Sequence, residues 1–119
     1  MTTQTLIVDI DDTICFPNHQ YNDTETKYGK AEPNLPMIHS LQKAKEQGFK
    51  IVLNTARRML THNGDINKII EDVGQVTIDW LDSHNVPYDE IVWGKPYGAY
   101  YIDDKAMKPE EFIKFMEWN

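Results

Sequence analysis

Near the amino terminus an apolar run, Leu6-Ile7-Val8-Asp9-Ile10, is broken by a single carboxylate and leads directly into Asp11-Asp12-Thr13. A short, nearly continuous apolar stretch is what a strand needs when both faces of a parallel sheet are covered. The run therefore predicts a central strand in an α/β sheet. Side chains two apart in a strand point the same way, and as the chain turns off the strand Asp9 and Asp11 can converge on one point. Two carboxylates crowded together need a cation or a shared proton, which makes this strand tip a candidate site.

The rest of the chain alternates between the two periods expected of such a sheet. Residues 16–34 are rich in Asn, Asp, Tyr, Gly and Pro with no period, and predict a loop or flap overhanging the strand tip. After Pro36, residues Met37, Ile38, Leu41, Ala44 and Lys45 follow helical spacing, with Gly48 as the stop. Phe49 to Leu53 predicts a second strand, and Asn54-Thr55-Ala56-Arg57 leaves its carboxyl end, where open parallel sheets place their ligand sites. From Asp65 onward, Ile66, Ile69, Ile70 and Val73 predict one short helix. Gly74 interrupts it, and Val76, Ile78, Trp80 and Leu81 predict a second. Asn85-Val86-Pro87 is a turn, Glu90 to Trp93 a third strand, Ala99 to Ile102 a fourth, and Pro109 to Trp118 a last helix with Phe112, Ile113 and Met116 inward. One spacing is anomalous. Parallel neighbours need a crossover of about a dozen residues or more, but only Gly94 to Gly98 separate the third and fourth strands. Either that crossover is an extended segment or one of the two strands is differently placed, and the sheet order at this edge stays open.

Composition narrows the function. A chain of 119 residues predicts one domain. No apolar run approaches the roughly 20 residues of a membrane span, and the amino terminus shows neither a basic leader nor a small-residue cleavage site, so the expected location is the cytoplasm. The single cysteine, Cys15, has no internal disulfide partner; its neighbours Ile14 and Phe16 predict packing, and no paired base marks it as a nucleophile. The net charge of −7 disfavours a nucleic-acid partner and favours a small phosphate ester. Part of the acidity sits in Asp9, Asp11, Asp12, Asp103 and Asp104, where a divalent cation would offset it.

Asp9-x-Asp11-x-Thr13, Thr55, Lys95 and Asp103-Asp104, in this order, resemble the four motifs of the haloacid dehalogenase-like (HAD) hydrolase superfamily of magnesium-dependent phosphatases. Asp11-Asp12-Thr13-Ile14-Cys15, Thr55-Ala56-Arg57, Gly94-Lys95-Pro96-Tyr97 and Tyr101-Ile102-Asp103-Asp104-Lys105-Ala106 are similar to segments of short, cap-less members described as capsule-biosynthesis phosphatases. The likeness runs over nearly the whole chain, although the helix that usually follows the lysine motif is missing. It implies a Rossmann-like HAD core spanning 1–119, with a mainly parallel sheet flanked by helices and no cap domain. It also implies Asp9 as nucleophile, Asp11 as general acid then base, and Lys95 and Thr55 against the phosphoryl oxygens. Magnesium would be held by Asp9, Asp11 and one of Asp103 or Asp104.

Thr13, Arg57, Arg58 and His62 are candidates for substrate binding; a guanidinium fork after the second strand suits an anionic group. His19, Asn18, Tyr21, Asn63 and Asp65 stand as weaker candidates in nearby loops. The expected activity is hydrolysis of a small phosphorylated metabolite, on the resemblance a sugar phosphate of capsule or polysaccharide synthesis. A nucleotide or nucleic-acid 3′-end phosphatase, a phosphotransferase, and a noncatalytic metal- and phosphate-binding module are the alternatives. Without a cap, the flap, a large substrate or a neighbouring subunit must screen the site, and a homo-oligomer is expected.

Overall fold

The structure is a computed structural model that describes residues 3–118. Its centre is a parallel sheet of β1 (Thr5–Val8), β4 (Lys50–Thr55) and β5 (Glu90–Trp93), in the order β1-β4-β5. Leu6 lies beside Ile51, Val8 beside Leu53, and Leu53 beside Ile91, so one alternating set of apolar residues shares one face. Three helices pack there. Helix α2 (Leu35–Glu46) and α3 (Ile66–Ser83) connect the strands, and α4 (Pro109–Glu117) lies against α2. The resulting core joins Val8, Ile51 and Leu53 to Leu41, Leu81 and Met116. Each such side chain contributes about 1.5–3 kcal/mol when fully buried, and the α/β class and parallel sheet expected from the sequence follow from that pattern.

Helix boundaries follow their chemistry. Asn34 caps α2 by accepting from the Met37 N–H at 3.5 Å, and Pro36 sits in its first turn. Gly48 closes the helix with φ +94°, a conformation an L side chain resists. Asp65 caps α3 through the Lys68 N–H at 3.2 Å. Glu111 accepts from the Lys108 N–H at 2.9 Å at the start of α4.

Four expectations are corrected. First, α3 is one helix, not two. Ile69, Val73, Thr77, Trp80 and Leu81 continue a single buried stripe past Gly74, and burying that stripe outweighs the roughly 1 kcal/mol a helical glycine costs. Second, the loop or flap expected over 16–34 carries secondary structure of its own. β2 (Cys15–Phe16) pairs antiparallel with β3 (Glu32–Pro33), α1 (Thr24–Lys27) lies between them, and the Trp80 indole donates to the Ala31 carbonyl at 3.0 Å, fastening the flap to α3.

Third, Ala99 to Ile102 forms no strand; residues 94–108 carry neither helix nor strand, because the short connection cannot return the chain to a parallel neighbour. Fourth, and as a consequence, β1 is an edge strand and β4 is central. The sheet face opposite the helices carries Ile7, Val52 and Val92, none of which packs into the two core clusters; Val52 is buried, whereas Ile7 is 65% and Val92 40% exposed.

Candidate active site

The turn after β1 is wound around one carbonyl. Ile10 O accepts from the N–H groups of Thr13, Ile14 and Cys15 at 3.2, 2.8 and 3.3 Å, and Asp12 takes φ +59° to let its own N–H reach Cys15 O at 2.7 Å. Ile10 and Ile14 are wholly buried and hold the turn to the core. Asp9 and Asp11 leave this turn at the carboxyl end of the sheet, close enough for the charge of Asp11 to bear on Asp9.

Asp11 is gripped by Arg57. The guanidinium donates to Oδ1 from Nε at 3.0 Å and from Nη2 at 2.8 Å, and to Oδ2 from Nε at 3.2 Å. Its Nη1 donates to Thr77 Oγ1 at 2.8 Å and Nη2 also reaches Cys15 Sγ at 3.4 Å, while its Cζ lies 4.3 Å from the centre of the Tyr28 ring. Arg57 is only 3% exposed. Burial alone would lower its basicity; the Asp11 charge and hydrogen bonds outweigh that and raise it. The residue expected to grip substrate is thus spent inside the protein, where it orients Asp11. The Cys15 thiol donates to Asp11 Oδ1 at 3.6 Å, and burial pushes it up to about 12, so it is a neutral hydrogen-bond partner and no nucleophile. Oδ2 is left as the less encumbered oxygen of Asp11.

Asp9 faces Lys95, whose Nζ lies 3.6 Å from Oδ1. Burial raises the Asp9 carboxyl above its ordinary value, with Lys95 opposing. The lysine is aimed by backbone. Gly94 takes φ +89°, a Cβ there would stand 2.3 Å from Ile66 Cδ1, and the Lys95 N–H donates to Thr55 O at 3.0 Å. Thr55, 1% exposed, ends β4 with its Oγ1 accepting the Arg57 N–H at 3.1 Å, which leaves its own hydroxyl proton to donate. Asp9, Asp11, Thr55 and Lys95 therefore meet at the carboxyl ends of three parallel strands.

Other expected residues lie elsewhere. Arg58 and His62 turn to Asp72 of α3, at 3.4 Å and 2.9 Å, and Arg58 Nη2 also donates to Asn22 O at 3.0 Å. Thr13 gives its carbonyl to the Asn34 side chain at 2.9 Å. Asp103 and Asp104 are exposed; Asp103 accepts from the Lys105 N–H at 2.9 Å, and Asp104 lies 3.8 Å from Lys105 Nζ. Among the described residues no three His, Cys, Asp or Glu side chains converge as a metal would require. The described residues thus do not bring Asp103 or Asp104 to Asp9 and Asp11. Sequence reasoning missed Tyr28, Thr77 and Asp72. Thr77 carried the readable signal, a polar residue in the apolar stripe of α3 between Val73 and Trp80.

No family model and no curated protein matches this chain. Among solved structures, the chain in the Pnkp1/Rnl/Hen1 complex is 21% identical with a TM-score of 0.56, over 94% of this chain and 34% of that one. That of the Pnkp1/Rnl/Hen1 RNA repair complex is 18% identical with a TM-score of 0.55, over 98% and 31%. Identities this low show a shared fold, in chains about three times as long. The crystal structure of an MCSG target from Vibrio cholerae is nearer: 37% identity, a TM-score of 0.83, and coverage of 98% of this chain and 95% of that one. At that identity over almost both whole lengths, the chain belongs to the same family as that Vibrio cholerae protein.

Proposed function

We propose that this protein is a phosphomonoesterase of the HAD superfamily that works through an aspartyl-phosphate on Asp9. The observation that supports it is the pairing of Asp9 with Lys95 at 3.6 Å beside a carboxylate held in a buried guanidinium fork. An Asp9 oxygen attacks phosphorus as the bond to the ester oxygen breaks, and Asp11 gives that oxygen its proton. Water then attacks phosphorus and passes a proton to Asp11 while the bond to Asp9 breaks, releasing phosphate. Lys95 and the Thr55 hydroxyl stabilise the charge on the phosphoryl oxygens, and Arg57 acts as a positioning residue, leaving Oδ2 of Asp11 for proton exchange.

Small phosphorylated metabolites, sugar phosphates among them, are the substrate class that the net charge of −7 favours. A nucleic-acid end is the second reading, supported by the fold shared with a chain of an RNA repair complex. A magnesium ion belongs to the proposal, with Asp9 and Asp11 as its ligands in this chain.

The test is phosphate release from sugar phosphates, nucleotides and 3′-phosphorylated oligonucleotides, with magnesium and with a chelator, beside Asp9→Asn as control. Release that needs Asp9 is expected, strongest with the metabolites. Release that survives in Asp9→Asn ends the mechanism, and a preference for oligonucleotide ends selects the second reading.

A further inference from the structure

Three features of one chain fit each other and are left uncovered or incomplete among the described residues. The edge of β1 is unpaired, and beside it the sheet face without helices exposes Ile7. Parallel sheets are ordinarily covered on both faces, and a free edge is a template for another strand. On the same face Asn54 Oδ1 is buried with no donor. The second feature is the segment 94–108. It contains a strand-like sequence, Ala99-Tyr100-Tyr101-Ile102-Asp103, yet Tyr100 is 86% and Ile102 97% exposed. The third is the site itself, which gathers two carboxylates and leaves Asp103 and Asp104 in solvent.

The segment could reach its own β1 edge in parallel only on a fully taut path. From Trp93, at the carboxyl end of β5, the chain would have to cross three strand spacings and return the length of a strand, about 20 Å in a straight line. The six Cα steps to Ala99 span at most about 21 Å when fully extended. That path would have to run straight across the faces of β4 and β1 with no slack. The actual chain is already folded back: the Tyr101 hydroxyl donates to Pro96 O at 2.7 Å and its ring lies 4.1 Å from Lys95 Nζ. An antiparallel insertion would put the acidic pair at the wrong end of the sheet. Between Trp93 and Pro109, however, fifteen residues offer up to about 50 Å of chain, enough to leave the body and return.

We propose that residues 99–103 are an exchange strand. In a pair of identical chains, each lays this strand parallel to the other's β1, with Ile102 beside Ile7, and brings Asp103 and Asp104 next to the other's Asp9 and Asp11. Ile102 and Ile7 are thereby covered, the edge is closed, and the carboxylate set missing from one chain is completed across the pair. The contact is isologous, so two such strands close the assembly as a dimer. The role given to the acidic pair rests on the function proposed above; the strand exchange does not.

The test is oxidative cross-linking of the full-length protein carrying Ile7→Cys and Ile102→Cys together. The expected product is a covalent dimer that disappears on reduction and is absent from either single variant. A disulfide confined to single chains, or none, overturns the exchange. Ile102→Asp should convert the dimer to monomer in sedimentation, whereas Leu60→Asp, at another exposed apolar position of 73%, should not; a dimer indifferent to both also overturns it. Asp9→Asn mixed after unfolding and refolding with the double variant Asp103→Asn, Asp104→Asn should recover about a quarter of wild-type phosphate release, since half the dimers are mixed and each holds one complete site. No recovery, with active wild type, overturns completion in trans. If the wild type releases no phosphate, the cross-link alone decides the exchange, and the failure falls on the proposed function.

Discussion

The surroundings of Arg57 and the segment 94–108 both hold charged groups, in opposite ways. Arg57 is 3% exposed, with Asp11, Thr77 and Cys15 accepting its N–H groups. Asp103 and Asp104 sit on exposed backbone, their shown partners confined to each other and Lys105. A buried charge persists only when its partners are built around it, so the Arg57 clamp is completed by one chain. The exposed pair owes nothing to this chain's core, and its neighbours Tyr100 and Ile102 show apolar surface that a single strand with no ladder cannot hide.

That contrast predicts where substitutions act. The largest effect is on turnover: Asp9→Asn should lower phosphate release by at least about 1,000-fold, read in steady-state kinetics, because the proposed nucleophile is gone. Arg57→Ala should cost about 3 kcal/mol in denaturant unfolding, since it strands Asp11 and empties a buried site. Arg57→Lys, which keeps charge and loses the fork, should fold better and still lose up to about 100-fold in kcat with KM little changed. Thr77→Val should cost about 1–3 kcal/mol by leaving Nη1 of Arg57 without its acceptor. Asp104→Asn should change stability of the isolated chain by less than about 0.5 kcal/mol; a loss comparable to that of Arg57→Ala would erase the distinction between the two regions.

Asp9 sharpens the comparison through pH. Its carboxyl is raised above its ordinary value by burial, with Lys95 opposing. Between the ordinary and raised values the native state keeps a proton that the unfolded chain has lost, so stability falls as pH rises through that window. Asp9→Asn removes this penalty. Thermal melts should therefore show the variant above wild type at neutral pH, and the gap should close well below the ordinary carboxylate range.

The gathering of the candidate site's residues was legible because they stand at strand ends. Asp9, Asp11, Thr55 and Lys95 each follow an apolar run whose period announces a buried strand, and parallel topology brings such ends together. Thr77 could have been flagged as a hydroxyl in an apolar stripe. Tyr28 and Asp72 could not, since nothing local tells a flap tyrosine that it will lie beneath two guanidinium groups, at 4.3 and 5.4 Å. Arg57 was expected beside the site with its fork toward substrate, and in the structure the fork holds Asp11, because the same geometry that grips a phosphate grips a carboxylate.

By itself the sequence determined the alternation of short strands and helices, the helix caps, and the order of chemical groups along the chain, since these depend on neighbours a few residues apart. Only the tertiary structure decided that α3 runs through Gly74, that β1 lies at an edge, that Arg57 serves Asp11, and that Asp103 and Asp104 stand outside the site. Those outcomes turn on which surfaces meet across the fold and on how far fifteen residues can reach, and neither is encoded in any one segment.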